Sequence, residues 1–177
     1  SKYTTGSMAN ASTQSKILHY NDVFSMDRNN SETNNETGAS VGYGVSYNIN
    51  KKDLENKVYL DAEASIGQVL RKSTLEEMPK NSSLQEKSSD FAGVSSFKIK
   101  SKKLNNSELN LGFNYVVNRD LNALLKNEII TKFNNDKNNL IVSYYEEAKI
   151  GDTHYVDLEY ERKFDNNLNF SMGIRKN

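Results

Sequence analysis

The run Val41-Gly42-Tyr43-Gly44-Val45-Ser46-Tyr47-Asn48-Ile49 decides how the chain is read, together with Val58 to Leu70, which follows after the polar connector Lys51 to Asn56. In the first run Val41, Tyr43, Val45, Tyr47 and Ile49 hold the odd positions, and Gly42, Gly44, Ser46 and Asn48 hold the even ones. In the second, Val58, Leu60, Ala62, Ala64, Ile66 and Leu70 oppose Lys57, Tyr59, Asp61, Glu63, Ser65, Gly67 and Arg71. A period of two with unlike faces is the signature of a strand. A helix written this way would scatter its apolar groups around the whole cylinder, so the pair predicts a hairpin of two long strands.

The same rhythm continues downstream. Phe91, Gly93, Ser95, Phe97 and Ile99 oppose Ala92, Val94, Ser96 and Lys98, and Leu109, Leu111, Phe113, Tyr115 and Val117 oppose Glu108, Asn110, Gly112 and Asn114. Leu124 to Phe133 has mixed parity. Leu140, Val142 and Tyr144 alternate with Asn139, Ser143 and Tyr145. His154, Val156, Leu158, Tyr160 and Phe164 then face away from Asp157, Glu159, Glu161 and Lys163, and Leu168, Phe170, Met172 and Ile174 close the series. Polar clusters separate the runs at Lys102 to Asn106, Asn118 to Asn122, Asn134 to Asn138 and Asp165 to Asn167, and Gly151 is available for a positive φ. Residues Ser1 to Ser15 read as loop or weak strand, and Ile17 to Phe24 is more apolar. Ser25 to Thr37 reads as a long exposed loop, and Lys72 to Ser89, with Pro79, as a second long connector.

The fold class expected is therefore all-β, an antiparallel up-and-down meander of about eight long strands. Each runs about 9 to 13 residues, longer than the ~5 to 6 usual in globular sheets and close to the ~9 to 11 that cross a bilayer at a tilt. That length points to a section of a transmembrane β-barrel. Only 36% of residues are hydrophobic and mean hydropathy is −0.77, values low enough to raise disorder, yet strict alternation is not a property of disordered chains. A barrel wall reconciles the two, because one face meets lipid and the other a wet lumen. The expected organisation is a single partial barrel domain over residues 1–177, with a loop-rich opening segment over 1–37.

Lys plus Arg and Asp plus Glu are both 23, which removes the electrostatic case for a nucleic-acid partner. There is no cysteine, hence no disulfide or thiolate metal site. His19 and His154 stand far apart without metal-ligand spacing and read as surface histidines. Glu146 and Glu147 are adjacent, so on a strand they point to opposite faces and cannot converge for acid–base chemistry. Gly42, Gly44 and Gly67 lie within strands with no helix after them, so they form no phosphate loop and read as a small-residue face. No cofactor or metal is expected, and no enzymatic activity. The candidate lumen-facing polar wall is Asp61, Glu63, Ser65, Glu108, Asn110, Asn114, Asp157 and Glu159.

Several stretches resemble one family. Tyr20 to Arg28, Thr37-Gly38 leading into an alternating strand, Ala64 to Val69 before a polar loop, Lys87 to Asp90 before a strand, and Asn118-Arg119-Asp120-Leu121-Asn122 between two strands are similar to the barrel of LptD. LptD, also called organic solvent tolerance protein, is the lipopolysaccharide-assembly protein of the outer membrane. The resemblance runs from about Leu18 to the end. It implies a Gram-negative outer-membrane location and a role in inserting lipopolysaccharide into the outer leaflet, with membrane lipid and an outer-membrane lipoprotein plug of the LptE type as partners. The chain departs from the family pattern in lacking the periplasmic domain, the paired cysteines of many members and a recognisable terminal strand, which implies an internal section of a larger barrel. By the same analogy the short turns would be periplasmic and the Ser25 to Thr37 and Lys72 to Ser89 loops would face outward. Two other readings stand beside it: a complete small barrel or porin-like channel, and a soluble β-sandwich binding module.

Overall fold

The computed structural model describes residues 17–25, 28, 38–53, 58–76, 78, 80–102, 106–149, 153–164 and 168–177. The expectations for residues 1–16, for most of the tract after Ser25, and for Pro79, Gly151 and 165–167 lie outside these. Eight strands follow a short 3-10 turn at Tyr20–Phe24. They are β1 (Ser40–Lys52), β2 (Val58–Arg71), β3 (Phe91–Ser101), β4 (Ser107–Val117), β5 (Leu124–Asn134), β6 (Asn138–Glu147), β7 (Thr153–Lys163) and β8 (Asn169–Lys176). All eight belong to one sheet in the order β1-β2-β3-β4-β5-β6-β7-β8. The chain is an all-β, up-and-down antiparallel meander, as its alternation requires. No second sheet lies opposite among the described residues, so the two-layer arrangement of a sandwich is not present there.

Turn chemistry holds the register. Between β5 and β6 the Asn135 carboxamide oxygen accepts from the backbone N–H of Lys137 (3.0 Å) and Asn138 (2.8 Å), so the side chain closes the turn. Asn118 does the same before β5, accepting from Asn122 N (2.9 Å) and Ala123 N (3.2 Å) around Leu121, which takes φ +58°. Across β5 to β8 the pairing places Thr131, Val142, Leu158 and Ile174 in one cross-strand row.

The chain divides into two compact units. One comprises Ser1–Val45, Ile66–Gly93 and Val116–Leu125; the other Ser46–Ser65, Val94–Tyr115 and Lys126–Asn177. Every buried hydrophobic side chain among the described residues lies in the first, where Leu18, Val23, Val69, Leu84, Ala92 and Val116 form one cluster with Ile17, Tyr20 and Leu125 against it. The second unit carries most of the sheet, and none of its described apolar side chains is buried.

The small residues of β1 and β2 explain the cluster. The carbonyl of Val23 lies so close over Gly42 that a β-carbon there would collide with it, and a β-carbon on Gly67 would meet the Val23 side chain at 3.1 Å. The glycines are thus a bed on which Tyr20–Phe24 is seated. Arg28, expected on an exposed loop, is 5% exposed. Its Nε and Nη2 both donate to Val23 O (3.2 and 3.1 Å) and Nη1 donates to Ser40 Oγ (2.9 Å). The correction has a physical cause: the 3-10 turn leaves its last carbonyls unpaired, and a forked guanidinium satisfies one of them while tying the segment to β1. On the other side Arg71 Nη1 donates to Leu84 O (2.9 Å), folding the connector after β2 back onto the same cluster.

Substituting Gly42 by Ala should therefore displace the Tyr20–Phe24 segment and destabilise the folded chain by about 1–3 kcal/mol in denaturant titration. Gly112→Ala, whose nearest neighbour is Ile130 O at 3.9 Å, should be neutral or stabilising by up to about 1 kcal/mol. Equal effects at the two positions would show that the close approach over Gly42 does not matter.

Candidate functional surface

The sheet presents two unlike faces. On the apolar face the rows Ile129, Tyr144, Val156; Thr131, Val142, Leu158, Ile174; and Phe133, Leu140, Tyr160, Met172 cross β5 to β8. Of these, Ile129, Val156, Met172 and Ile174 are exposed, Ile174 by 58%, and the others are partly buried; on β1 Val45 and Tyr47 are 70% and 66% exposed. On β4 Leu111 is exposed, and Phe113 and Tyr115 stack on each other with centroids 4.9 Å apart. Among the described residues no helix is long and apolar enough to cross a membrane.

Polar rows border this apolar area. Asn127, Glu146 and His154 fall in register on one side, with Asn127 Nδ2 donating to Glu146 Oε2 (2.8 Å) and Tyr144 OH donating to the same oxygen (3.0 Å). On the other side Asn138 pairs with Arg162, and the hydroxyl of Tyr160 donates to Asn138 Oδ1 (2.9 Å). From Asn138 to Glu146 along β6 is about 27 Å at ~3.4 Å per residue, or roughly 20 Å in height at the ~40° tilt of barrel strands. Two tyrosines thus sit at opposite borders with rings on apolar surface and hydroxyls on polar groups.

The opposite face carries the candidate wall. On β2 Asp61 is half-buried and Glu63 exposed, whereas Ser65 is buried against Ser46, with their hydroxyls 2.7 Å apart. Ser65 is therefore part of the packing between β1 and β2 and does not reach solvent. Glu108 and Asn110 are brought together, Asn110 Nδ2 donating to Glu108 Oε1 (2.9 Å), and Lys98 and Lys100 of β3 lie 3.1 and 3.6 Å from the same carboxylate. Asn114 Nδ2 donates to Glu128 Oε2 on β5 (3.1 Å). Asp157 receives both a 2.6 Å and a 2.7 Å bond from the Arg175 guanidinium of β8, and Glu159 is exposed two residues further along β7.

One row on this face was not foreseen. Tyr145 and Tyr155 are cross-strand partners stacked at 5.0 Å and 13°, with Lys126 Nζ 5.4 Å from the Tyr145 ring and the Arg175 guanidinium 5.0 Å from that of Tyr155. Cation, ring, ring and cation so alternate across four strands. The faces of both rings are occupied by protein groups, which makes the row a tie across the sheet. Chemically the described part of this face holds two sets of paired charges, Glu108 with Lys98 and Lys100, and Asp157 with Arg175. Glu146 and Glu147 pair with different neighbours, and no group of three His, Cys, Asp or Glu among the described residues converges to hold a metal.

Comparison with protein-family models, curated proteins and solved structures finds no match.

A double-mutant cycle on Tyr145→Ala and Tyr155→Ala, read by denaturant unfolding, should return a coupling of about 1 kcal/mol. Strict additivity would mean that the stacked pair contributes nothing beyond its separate contacts.

Proposed function

We propose that this chain is wall from an outer-membrane β-barrel and that the barrel inserts lipopolysaccharide into the outer leaflet. The observation that carries the first part is the apolar face, which spans strands of 8 to 14 residues and leaves Val45, Tyr47, Ile129, Val156, Met172 and Ile174 exposed. In water such a face would aggregate; against hydrocarbon it is the required surface. Its height of roughly 20 Å approaches the ~25 Å apolar band of outer-membrane barrels, and bordering tyrosines with polar tips are what a membrane interface selects. The sheet is open, with β1 and β8 as its edges, so on this reading those edges pair with each other or with further strands of the barrel.

The lipopolysaccharide cargo rests on the resemblance of Tyr20 to Arg28, Ala64 to Val69 and Asn118 to Asn122 to the LptD barrel. On this reading the polar face lines the passage for the saccharide, a lipoprotein of the LptE type fills part of the lumen, and the chain performs no chemistry of its own. A second reading is favoured by the strand count: eight is also the smallest number that closes a single-chain outer-membrane barrel. Cross-linking between single cysteines on β1 and β8 separates the two, because a complete small barrel pairs these strands and a section of a larger one does not.

Arginine at mid-band tests the membrane assignment. Val142→Arg or Leu158→Arg should cost about 2–4 kcal/mol in folding into lipid vesicles, while Ser143→Arg, one residue away on the polar face, should cost under about 1 kcal/mol. Equal penalties would contradict a lipid-facing side. For the cargo, a photoreactive side chain at Glu63 or Asn114 should trap lipopolysaccharide in cells. Insertion without such adducts would leave the barrel wall and remove its cargo.

A further inference from the structure

The chain has no net charge, yet its cations are concentrated. The tight connections after β1, β3, β5 and β7 all lie at one end of the meander, and each brings two described cations: Lys51 and Lys52, Lys100 and Lys102, Lys132 and Lys137, Arg162 and Lys163. Against them stand Asp53, Asp136 and Glu161. Of the eight cations only Lys100 forms an ion pair among the described residues, with Glu108. By contrast the connector after β2 and the loop after β4 alternate in sign, with Lys72, Lys80 and Lys87 offset by Glu76, Glu86 and Asp90, and Arg119 lying 3.4 Å from Glu86.

Placement matters as much as number. By strand parity Lys51 stands on the apolar face of β1, and Arg162 stands on that of β7 in the row that borders the apolar area, its guanidinium 5.1 Å from the Phe164 ring. Lys102 and Lys137 occupy the turns just beyond the strands. Each connection therefore sets one long, flexible cation where the hydrophobic band ends, with an apolar stem to lie along that band and a charged head to lie past it.

We infer that this end of the sheet binds the anionic headgroups of phospholipids in the adjoining leaflet, through Lys51, Lys102, Lys137 and Arg162. The inference rests on the membrane reading above and adds the chemistry of the lipid at one border. Phosphate is the complement of unneutralised ammonium and guanidinium groups, and only lipid headgroups occupy the layer at which the apolar rows stop. A cation at such a surface gains several-fold in affinity from anionic lipid and loses it as salt screens the charge.

The test uses the whole chain and two vesicles, one of phosphatidylcholine and one with about 30% phosphatidylglycerol, with insertion read by flotation at low salt. The wild-type protein should enter the anionic vesicles about tenfold more readily, and ~0.5 M NaCl should abolish the difference. Replacing Lys51, Lys102, Lys137 and Arg162 together by Gln should remove most of the preference, whereas Lys51→Arg, Lys102→Arg, Lys137→Arg and Arg162→Lys together should keep it. Neutralising Lys72, Lys80 and Lys87 instead should leave it intact. Equal entry of the wild type into both vesicles overturns the assignment and points to an acidic protein at this end. Entry into neither overturns the membrane reading beneath it.

Discussion

A β-strand cannot choose which of its neighbours to expose: successive side chains point to opposite faces, and the ladder fixes each row across the sheet. Everything else here follows from that constraint acting on long strands. Once Thr131, Val142, Leu158 and Ile174 are placed in one row, the sheet has an apolar side. Ser143, Asp157 and Arg175, one residue away on each strand, then form a polar one. Among its described residues the larger unit buries no apolar side chain. Hydrocarbon over that surface is the cover that the proposed function supplies.

The smaller unit shows where the protein does build a core. Leu18, Val23, Leu84 and Val116 gather on the glycine-bearing side of the β1–β2 hairpin, held by Arg28 on one flank and Arg71 on the other. This core lies on the side that was read as small and polar. Loops folded back over that side close it locally. On the opposite face Gln68 accepts from the Tyr43 hydroxyl and donates to the Ser89 carbonyl (2.8 Å), while the cluster anchors connections on the glycine side.

The strands were legible because their signal is periodic and long: eight runs, their order and their faces could be read from Val41 to Ile49 and its successors. The cluster was not, since Leu18 and Val23 come from a short apolar stretch and Leu84 from a polar connector, none with a period that says where it packs. The glycines were noticed, but nothing local said that a carbonyl would sit on Gly42. Of the polar wall, Glu108 with Asn110 and Asp157 with Glu159 were legible as residues sharing a strand face. The partners Lys98 and Arg175 were not singled out, and the Tyr145–Tyr155 stack depends on the β6–β7 register, which alternation alone does not give. Tyr144 and Tyr145 look alike in sequence; the ladder sends them to opposite faces.

The most direct measurement exploits the absence of cysteine from the chain. Single-cysteine spin labels at each position from Leu140 to Tyr145, with the protein in lipid vesicles, report collision with oxygen, which concentrates in hydrocarbon, and with a water-soluble nickel chelate. The account predicts a strict alternation, oxygen winning at Leu140, Val142 and Tyr144 and the chelate at Ile141, Ser143 and Tyr145. Labels along the whole run that meet the chelate equally would contradict a bilayer-spanning strand.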